Sequence, residues 1–446
     1  MRKLFGTDGV RGVAGRWPLT PAFVRRLGWA TGTVLAEREP RRPRALFVVR
    51  DTRASGPVLV RALAEGLGAA GFRVLDGGVL PTPAVAALLP TLPAAAGAVL
   101  SASHNPAAHN GVKLFGPGGL KLDDRWEEAI EQRALSNDSM PVPRARVKPC
   151  PGARESYLQF LLRGWPAGAS LRGVPIVLDC AHGATSDVAP RLFRRLGARV
   201  TVLSASPTGR NINLHCGALH PEALARAVRR TGARLGVAFD GDGDRAIFVD
   251  EAGHPRDGDA VLLAAARQWR ARGRLRDGTV VVTVMSNLGL LRALEALGLR
   301  TEVTAVGDRY VWQGMRKTGA RLGGEPSGHV IFRDFLPTGD GILTALQVAA
   351  LLVETGRNFS ALTSLAVHYP QVLVNVPVRE RRPLEAIPGF ARTLAQVNAA
   401  LGDTGRTLVR YSGTEPLLRI MIEGPDRAVI QSHADELARL VRAASV

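Results

Sequence analysis

The chain has 446 residues and a net charge of +19, and 46% of its residues are hydrophobic whereas only 5% are aromatic. This length predicts three or four domains of about 100–150 residues each, and the sequence has no apolar stretch of about 18 residues that would predict a membrane span. The three cysteines, Cys150, Cys180 and Cys216, form no CxxC pair, which argues against a disulfide framework or a zinc site and favours a cytoplasmic location.

The surplus positive charge is carried almost entirely by arginine, and no basic run is longer than the segment 40–44. A basic chain can bind nucleic acid, a membrane surface or an anionic metabolite. The aromatic residues that interleave with basic ones in RNA-binding sheets are missing here. We therefore expect the arginines to lie mostly on solvated surfaces, with neither nucleic acid nor a membrane as a partner. The sequence leaves the oligomeric state open.

The N-terminal third of the chain alternates strand-like and helical patterns. The predicted strands are 45–49, 72–76 and 97–101, with a helix at 55–71. Apolar runs separated by amphipathic helices are typical of a parallel or mixed sheet that is covered on both faces. A proline-rich segment without periodicity, 136–152, follows this unit. It predicts a domain boundary.

The same alternation recurs twice before the pattern changes. The second unit has predicted strands at 174–179, 199–203 and 235–239 and helices near 186–197 and 221–232, and the third has predicted strands at 279–284 and 301–306. The remaining C-terminal segment contains three strand-like runs and two helices, which is typical of a smaller α+β domain. We therefore predict an α/β fold with three similar mixed-sheet α/β domains and a smaller C-terminal α+β domain. The predicted domains are 1–148, 149–250, 251–366 and 367–446.

A polar motif, SASHNPAAHNGVK, follows the third predicted strand at 101–113. In open α/β sheets, ligands bind beyond the carboxyl ends of the strands. A serine at this place can act as a nucleophile, and a nearby histidine or lysine can manage its proton. A turn formed by the serines and Asn105-Pro106 is the alternative interpretation.

A second motif, DGDGDR, follows the predicted strand 235–239 and brings Asp240, Asp242 and Asp244 into one tight loop. Its glycines permit unusual backbone angles. Three carboxylates offer hard oxygen ligands, which suit Mg²⁺ or Ca²⁺ better than a soft metal. An acidic turn is the alternative, but clustered carboxylates repel one another unless a cation or an arginine compensates.

Three further glycine-rich segments carry candidate binding groups. GGEPSGHV at 323–330 offers alternate polar side chains that can hold sugar hydroxyls, or forms an ordinary polar turn. RYSGTEP at 410–416, followed by Arg419, offers guanidinium, hydroxyl and backbone donors for a phosphate, or forms a β-turn. FGTDGVRG at 5–12 adds Arg11 as a candidate contact for an anion.

Taken together, these motifs resemble those of the α-D-phosphohexomutase superfamily, in the same order and over essentially the whole chain. More narrowly, the segments 3–12, 209–224, 306–311 and 337–348 resemble the bacterial members that act on glucosamine phosphate. The resemblance implies four domains around a central cleft and an enzyme, a mutase, that moves phosphate between the 6- and 1-positions of a sugar.

The resemblance also implies residue roles. It makes Ser103 the phosphorylated residue. The implied ligands of Mg²⁺, with the phosphate on Ser103, are Asp240, Asp242 and Asp244. The implied groups around the transfer are Arg11, His104, Lys113 and Arg245, with Lys113 as the general base or acid. The implied sugar contacts are Glu325, Ser327 and His329, and the implied contacts of the second phosphate are Arg410, Ser412, Gly413, Thr414 and Arg419.

The implied reaction interconverts glucosamine 6-phosphate and glucosamine 1-phosphate through a phosphoserine and a sugar 1,6-bisphosphate, and it feeds the synthesis of UDP-N-acetylglucosamine and cell-wall precursors. A kinase or a bisphosphate would supply the first phosphate. One alternative is the phosphoglucomutase/phosphomannomutase reaction with the same residues. Another is a catalytically inactive, basic nucleic-acid-binding protein on the same scaffold, although the presence of Ser103, Lys113 and all three aspartates weighs against it.

Overall fold

The computed structural model describes residues 4–6, 8–142, 144–275, 278–364, 368–412 and 416–444. These residues form four sheets of seven, five, four and three strands. Short 3-10 helices lie at Leu89–Thr91, Gly217–Leu219, Leu384–Ala386 and Gly402–Thr404. All three cysteines are free. None of the helices in the described residues combines the length and the apolar composition that crossing a membrane requires.

The first sheet is mixed and has the order β1-β2-β6-β5-β3-β4-β7. Its strands are β1 (Phe5–Gly6), β2 (Gly9–Val13), β3 (Ala45–Arg50), β4 (Arg73–Val79), β5 (Ala96–Leu100), β6 (His109–Phe115) and β7 (Val147–Pro149), and its helices are α1 (Pro21–Arg38), α2 (Gly56–Ala69), α3 (Pro83–Leu88) and α4 (Asp124–Leu135). Strand β3 is buried on both faces: Phe47 packs into one core and Val48 into another. Burial on both faces explains the continuous apolar run of this strand.

The second sheet has the order β12-β11-β10-β8-β9. Its elements are α5 (Ala153–Leu162), β8 (Pro175–Asp179), α6 (Val188–Arg195), β9 (Arg199–Leu203), α7 (Glu222–Thr231), β10 (Leu235–Phe239), β11 (Ala246–Val249) and β12 (Pro255–Arg256). Strand β12 pairs with β11 and lies beyond residue 250, where we predict the second domain to end. The domain boundaries stay predictions.

The third sheet has the order β14-β13-β15-β16. Its elements are α8 (Gly258–Ala271), β13 (Thr279–Thr283), α9 (Leu288–Ala296), β14 (Arg300–Thr304), α10 (Asp308–Thr318), β15 (Leu322–Gly324), β16 (Val330–Phe332), α11 (Gly341–Thr355) and α12 (Phe359–Thr363). Helix α11 is buried along most of its length, and the Asp340 carboxylate caps it by accepting from the N–H groups of Ile342 and Leu343.

One four-strand arrangement recurs in the first three sheets. It consists of three parallel strands followed by an antiparallel one: β4-β3-β5-β6, β9-β8-β10-β11 and β14-β13-β15-β16. The similarity of the three predicted α/β domains is therefore confirmed at the level of strand order.

The last sheet is antiparallel and has the order β17-β19-β18. Its elements are β17 (Gln371–Pro377), α13 (Phe390–Leu401), β18 (Arg406–Tyr411), β19 (Leu417–Glu423) and α14 (Arg427–Ala444). A separate core that includes Phe390, Ile420 and Leu437 holds this unit together, whereas one core runs through the first three units and includes Phe47, Phe239 and Phe332. The predicted small C-terminal α+β domain is confirmed.

Candidate active site

The three polar motifs of the α/β units occupy equivalent places in their sheets. Residues 101–108 connect β5 to β6, residues 240–245 connect β10 to β11, and residues 325–329 connect β15 to β16. In each case the chain leaves the third parallel strand and returns antiparallel to it. Ligands bind beyond the carboxyl ends of parallel strands. Because all three loops lie at such ends, we expect them to contribute to one binding site.

Ser103 lies at the centre of the first loop. It is buried and has a φ of +50°, a left-handed conformation that is uncommon outside glycine. Its hydroxyl donates to Asp240 Oδ2 at 2.6 Å, and His104 Nδ1 lies 3.4 Å from the same oxygen. The backbone N–H of Ser103 donates to Ser101 Oγ at 2.9 Å. The structure thus brings the predicted nucleophile onto the aspartate loop of the second unit.

The carboxylates of Asp240, Asp242 and Asp244 each offer an oxygen within 4.8 Å of the others, and all three residues are buried. Burial, followed by the charges of Asp244 and Asp242, raises the pKa of Asp240 well above its usual value. Asp242 Oδ1 and Asp244 Oδ1 are buried without a hydrogen-bond partner among the described residues. Unpartnered buried carboxylate oxygens around one point fit a hard divalent cation.

Gly341 allows helix α11 to pack closely against the aspartate loop. The backbone N–H of Gly341, the first residue of α11, donates to the carbonyl oxygen of Gly243 at 2.9 Å. A Cβ atom at Gly341 would lie 2.5 Å from the carbonyl oxygen of Arg245. Only glycine therefore allows the buried helix to support the aspartate loop from behind.

Lys113 is buried on β6 and lies among carboxylates. Its Nζ is 2.7 Å from Asp242 Oδ2, 2.9 Å from Asp8 Oδ2 and 3.9 Å from Asp244 Oδ2. Burial lowers the pKa of Lys113, but the charges of Asp242 and Asp8 outweigh this effect and raise it above its usual value. The sequence leaves open whether Lys113 is a base or an acid, and this environment favours the protonated form.

His104 has the opposite environment. Burial, followed by the charges of Arg245 and Arg11, lowers the pKa of His104 to about 4. Arg11 forms an ion pair with Asp8, and its Nη1 lies 3.5 Å from the carbonyl oxygen of Ala102. His104 is therefore a neutral imidazole beside the Ser103 hydroxyl at neutral pH.

The sugar-loop candidates face the same cavity, which has a volume of about 530 Å³. Candidate residues that line it are Arg11, His104, Asp244, Arg245, Glu325, Ser327 and His329. The Glu325 carboxylate accepts from the backbone N–H of Gly307 at 2.9 Å. His329 Nε2 accepts from the backbone N–H of Gly339 at 3.0 Å, and its Nδ1 lies 3.8 Å from Asp244 Oδ2. His329 thus uses its ring nitrogens within the protein, while Ser327 is exposed to the cavity.

The phosphate-loop candidates of the C-terminal unit lie apart from this cavity. Arg410 and Arg419 are direct cross-strand partners in β18 and β19, and burial, followed by the charge of Arg419, lowers the pKa of Arg410. Like charges directly opposite one another destabilise a sheet unless another group compensates them. Within the described part of the C-terminal unit, no residue lines the cavity. Gly413 and Thr414 lie outside the described residues.

Three contacts around the site were not predicted from the sequence. Asp8 pairs with Lys113, Thr82 Oγ1 donates to Asp242 Oδ2 at 2.6 Å, and Asp51 Oδ2 accepts from Ser101 Oγ at 2.6 Å. Asp8 lies in the glycine-rich segment 5–12, and Asp51 directly follows strand β3. Asp51 could have been predicted as a site residue from the sequence, because it lies at the carboxyl end of a central strand.

Four domain families match the chain in order. The phosphoglucomutase/phosphomannomutase alpha/beta/alpha domains I, II and III match residues 2–140, 155–253 and 257–369, and the C-terminal domain of the same group matches residues 373–440. The solved structure of a phosphoglucomutase/phosphomannomutase family protein from Burkholderia thailandensis is similar over 98% of this chain and 97% of that one, with a TM-score of 0.80 and 25% identity. Aspergillus fumigatus N-acetylphosphoglucosamine mutase, solved with GlcNAc-6P and magnesium, shares the fold with a TM-score of 0.71 and 19% identity over 100% of this chain and 96% of that one.

Relatives named phosphoglucosamine mutase match nearly the whole length of the chain. The protein of Syntrophotalea carbinolica is 46% identical over 99% of this chain and 97% of the relative, and that of Rhodococcus jostii is 47% identical over 99% of both. The protein of Sorangium cellulosum is 48% identical over 98% of this chain and 92% of the relative. With its four domains in the family's order and these relatives along its length, the chain belongs to the phosphohexomutase family and, within it, to the phosphoglucosamine mutases.

Proposed function

We propose that the protein interconverts glucosamine 6-phosphate and glucosamine 1-phosphate by passing a phosphate through Ser103. The observation that carries this proposal is the buried Ser103 hydroxyl, which donates to Asp240 inside a triad of carboxylates at the edge of a large cavity. The relatives named phosphoglucosamine mutase support the choice of sugar.

The chemistry is a pair of phosphoryl transfers. Phosphorylated Ser103 gives its phosphoryl group to the free hydroxyl of a sugar monophosphate: the bond from phosphorus to Ser103 Oγ breaks, and a bond from phosphorus to the sugar oxygen forms. The net path of the proton is from the sugar hydroxyl to Ser103 Oγ. The 1,6-bisphosphate then turns end over end and returns its other phosphoryl group to Ser103 by the reverse of this step.

The residues beside Ser103 have environments suited to these steps. Lys113 stays the proposed general acid or base, and its raised pKa favours the acid role, while His104 lies 3.4 Å from Ser103 Oγ. Protonated Lys113 and Arg245 place positive charge beside a loop where negative charge moves between oxygens. Such fixed charges stabilise phosphoryl transfer because little covalent chemistry is left for the protein to perform.

The triad fits Mg²⁺, which Asp240, Asp242 and Asp244 would hold together with the phosphate on Ser103. Bound there, Mg²⁺ would neutralise charge on the phosphoryl group. Support comes from the unpartnered oxygens of Asp242 and Asp244 and from the preference of Mg²⁺ for oxygen ligands.

Glu325, Ser327 and His329 are proposed to contact the sugar, with Ser327 the most accessible of them. Arg410, Ser412, Gly413, Thr414 and Arg419 are proposed to hold the phosphate that is not being transferred. The described residues of this group do not line the cavity, and we propose that the C-terminal unit moves toward the cleft when substrate binds. Closure of this kind also excludes water from the phosphoserine.

Side-by-side turnover of glucosamine 6-phosphate, glucose 1-phosphate and mannose 1-phosphate, each primed with its 1,6-bisphosphate, tests the proposal. We expect the highest kcat/KM with glucosamine 6-phosphate. Preferential turnover of glucose or mannose phosphate would establish the phosphoglucomutase/phosphomannomutase alternative instead. Turnover of none of the three by phosphorylated enzyme would reject the mutase function altogether.

A further inference from the structure

Residues of two domains donate hydrogen bonds to the backbone carbonyl oxygen of Ser103. We propose that Arg53 and Asn213 are positioning residues that lock Ser103 in its left-handed conformation and so align its Oγ with the cleft. The proposal rests on the role of Ser103 in the proposed function. It gives a role to the segment 209–224, which carries part of the family resemblance but contributes no residue to the proposed phosphoryl transfer.

Ser103 is clamped on both sides of its Cα. Its N–H donates to Ser101 Oγ at 2.9 Å, and Ser101 in turn donates to Asp51. Its carbonyl oxygen accepts from Arg53 Nη2 at 3.0 Å and from Asn213 Nδ2 at 2.9 Å. A serine with a φ of +50° persists when its surroundings determine the backbone. With both peptide groups fixed, only the side-chain torsion of Ser103 stays free.

Arg53 is fully buried and uses its whole guanidinium group. Nε donates to Asp51 Oδ2 at 2.8 Å, and the two Nη atoms donate to backbone carbonyls of the serine loop. The accepting carbonyls are those of Ser103, Asn105, Pro106 and His109. Because a guanidinium has five donors in a fixed fork, the three contacts with Ser103, Asn105 and Pro106 fix the shape of the loop from within the first unit.

Asn213 reaches the same loop from the second unit. Its Nδ2 donates to the carbonyl oxygens of Ser103 at 2.9 Å and Asn105 at 3.1 Å, which uses both amide hydrogens. Asn213 itself has a φ of +61°, which asparagine tolerates better than most residues. A Cβ atom at Gly241 would lie 2.6 Å from the Ser103 carbonyl oxygen and 2.8 Å from Asn213 Nδ2. The aspartate loop and Asn213 thus grip Ser103 together.

Loss of the Asn213 hydrogen bonds to the Ser103 loop is expected to affect kcat and KM differently. Asn213 is not among the residues that line the cavity in the described chain, so its loss leaves the groups that bind the sugar in place. It does change the direction of Ser103 Oγ. We therefore expect kcat to fall while KM is preserved, because misplacing a reacting atom slows the chemical step without removing a binding contact.

The test is steady-state kinetics of Asn213→Gly and Asn213→Asp at saturating Mg²⁺, with rates expressed per phosphorylated enzyme. Asn213→Gly removes both donors and keeps the left-handed backbone available. Asn213→Asp keeps the shape of the side chain and replaces its donors with an acceptor. We expect kcat to fall by about tenfold to a hundredfold in both variants, with KM within about twofold of wild type.

His215→Gly is the matched control. His215 lies in the same segment, is exposed, also has a positive φ, and its described ring contact is with His220. We expect wild-type kcat and KM for this variant. Arg53→Lys keeps the charge beside Asp51 but cannot reach four carbonyls from one planar group, so it should lower kcat in the same way as the Asn213 variants.

Wild-type kcat in both Asn213 variants would overturn the inference, as would an equal loss of kcat in His215→Gly or a parallel rise in KM. The wild-type enzyme separates this result from failure of the proposed function. If wild type turns over and carries phosphate on Ser103 while the Asn213 variants are unaffected, only the positioning role is wrong. If active wild type carries no phosphate on Ser103, the proposed function fails first.

Discussion

At the scale of single residues, the site is a buried cluster of carboxylates whose charges are only partly compensated within the protein. Lys113 compensates Asp242 and Asp8, and Arg245 lies 3.7 Å from Asp244. An oxygen of Asp242 and one of Asp244 still lack partners among the described residues. Burying a carboxylate oxygen without a hydrogen bond is costly, so we expect the folded protein to bind a divalent cation at this point.

Replacing one of these carboxylates should therefore weaken the metal site without unfolding the protein. We expect Asp242→Asn to lower Mg²⁺ affinity and to reduce activity by orders of magnitude, because a neutral amide is a poorer ligand for Mg²⁺. Calorimetric titration with Mg²⁺, together with circular dichroism, measures both effects. Asp187→Asn, at a half-buried aspartate that is paired with surface arginines, is the control. Full activity of chelator-treated wild type would contradict the role of the triad.

Some features of the site could be predicted from the sequence, and others could not. Ser103 and the three aspartates could be predicted, because each motif follows a strand in the sequence. The protonated state of Lys113 could not, since it depends on the charges of Asp242 and Asp8, which are both distant from Lys113 in the sequence. The contact of Asn213 with Ser103 could not be predicted either, because the two residues belong to different domains.

At the scale of elements, the strand order explains why the three loops meet. The strands at 45–49, 97–101 and 235–239 were predicted correctly, since both of their faces are buried and their sequences are continuously apolar. The antiparallel return strands β6, β11 and β16 were not predicted. In β6, the buried Asn110 and Lys113 interrupt the apolar pattern because they serve the site.

Helix α8 provides a test of stability at this scale. Burial, and then the charge of Asp257, raises the pKa of Asp259 in its first turn to about 8. Because an aspartate in an unfolded chain has a pKa of about 3.9, only the folded protein holds this proton between about pH 4 and 8. The unfolding free energy therefore falls as the pH rises through this interval, by up to about 1.4 kcal/mol per pH unit.

Asp259→Asn should remove this pH dependence. We expect the thermal midpoint of wild type to fall more steeply from about pH 5.5 to about pH 7.5 than that of the variant. Asp426→Asn, at an exposed position, should shift the midpoint equally at both pH values. A constant gap between wild type and Asp259→Asn across the interval would show that Asp259 does not titrate there.

At the scale of the whole molecule, the C-terminal unit is separate in its core but tied to the third unit by polar contacts. Asn287 Nδ2 donates to the carbonyl oxygen of Tyr369 at 2.8 Å and to Glu423 Oε1 at 3.1 Å. Polar contacts between units with separate cores are typical of domains that move relative to one another. Separate cores joined by polar contacts would permit the closure of the C-terminal unit that we propose for substrate binding.

The proposed contacts of the second phosphate in the C-terminal unit predict an effect on substrate affinity. We expect Ser412→Ala combined with Arg419→Ala to raise KM for every phosphosugar, because a hydrogen bond to a charged group contributes about 1.5–3 kcal/mol. Steady-state kinetics with glucosamine 6-phosphate measures this change. Arg439→Ala, at an exposed position on α14 of the same unit, should leave KM unchanged. An unchanged KM in the double variant would place the second phosphate elsewhere.

The central claim is that Ser103 carries the phosphate, and peptide mass spectrometry of active enzyme tests it most directly. We expect the peptide that contains residues 101–106 to be about 80 Da heavier, with the modification on Ser103, which adds a group of about −1.5 to −2 charge at neutral pH. Dephosphorylated enzyme should regain activity with a sugar 1,6-bisphosphate, and Ser103→Ala should not. Phosphate on Ser101 in place of Ser103, or full activity with neither serine modified, would contradict the account.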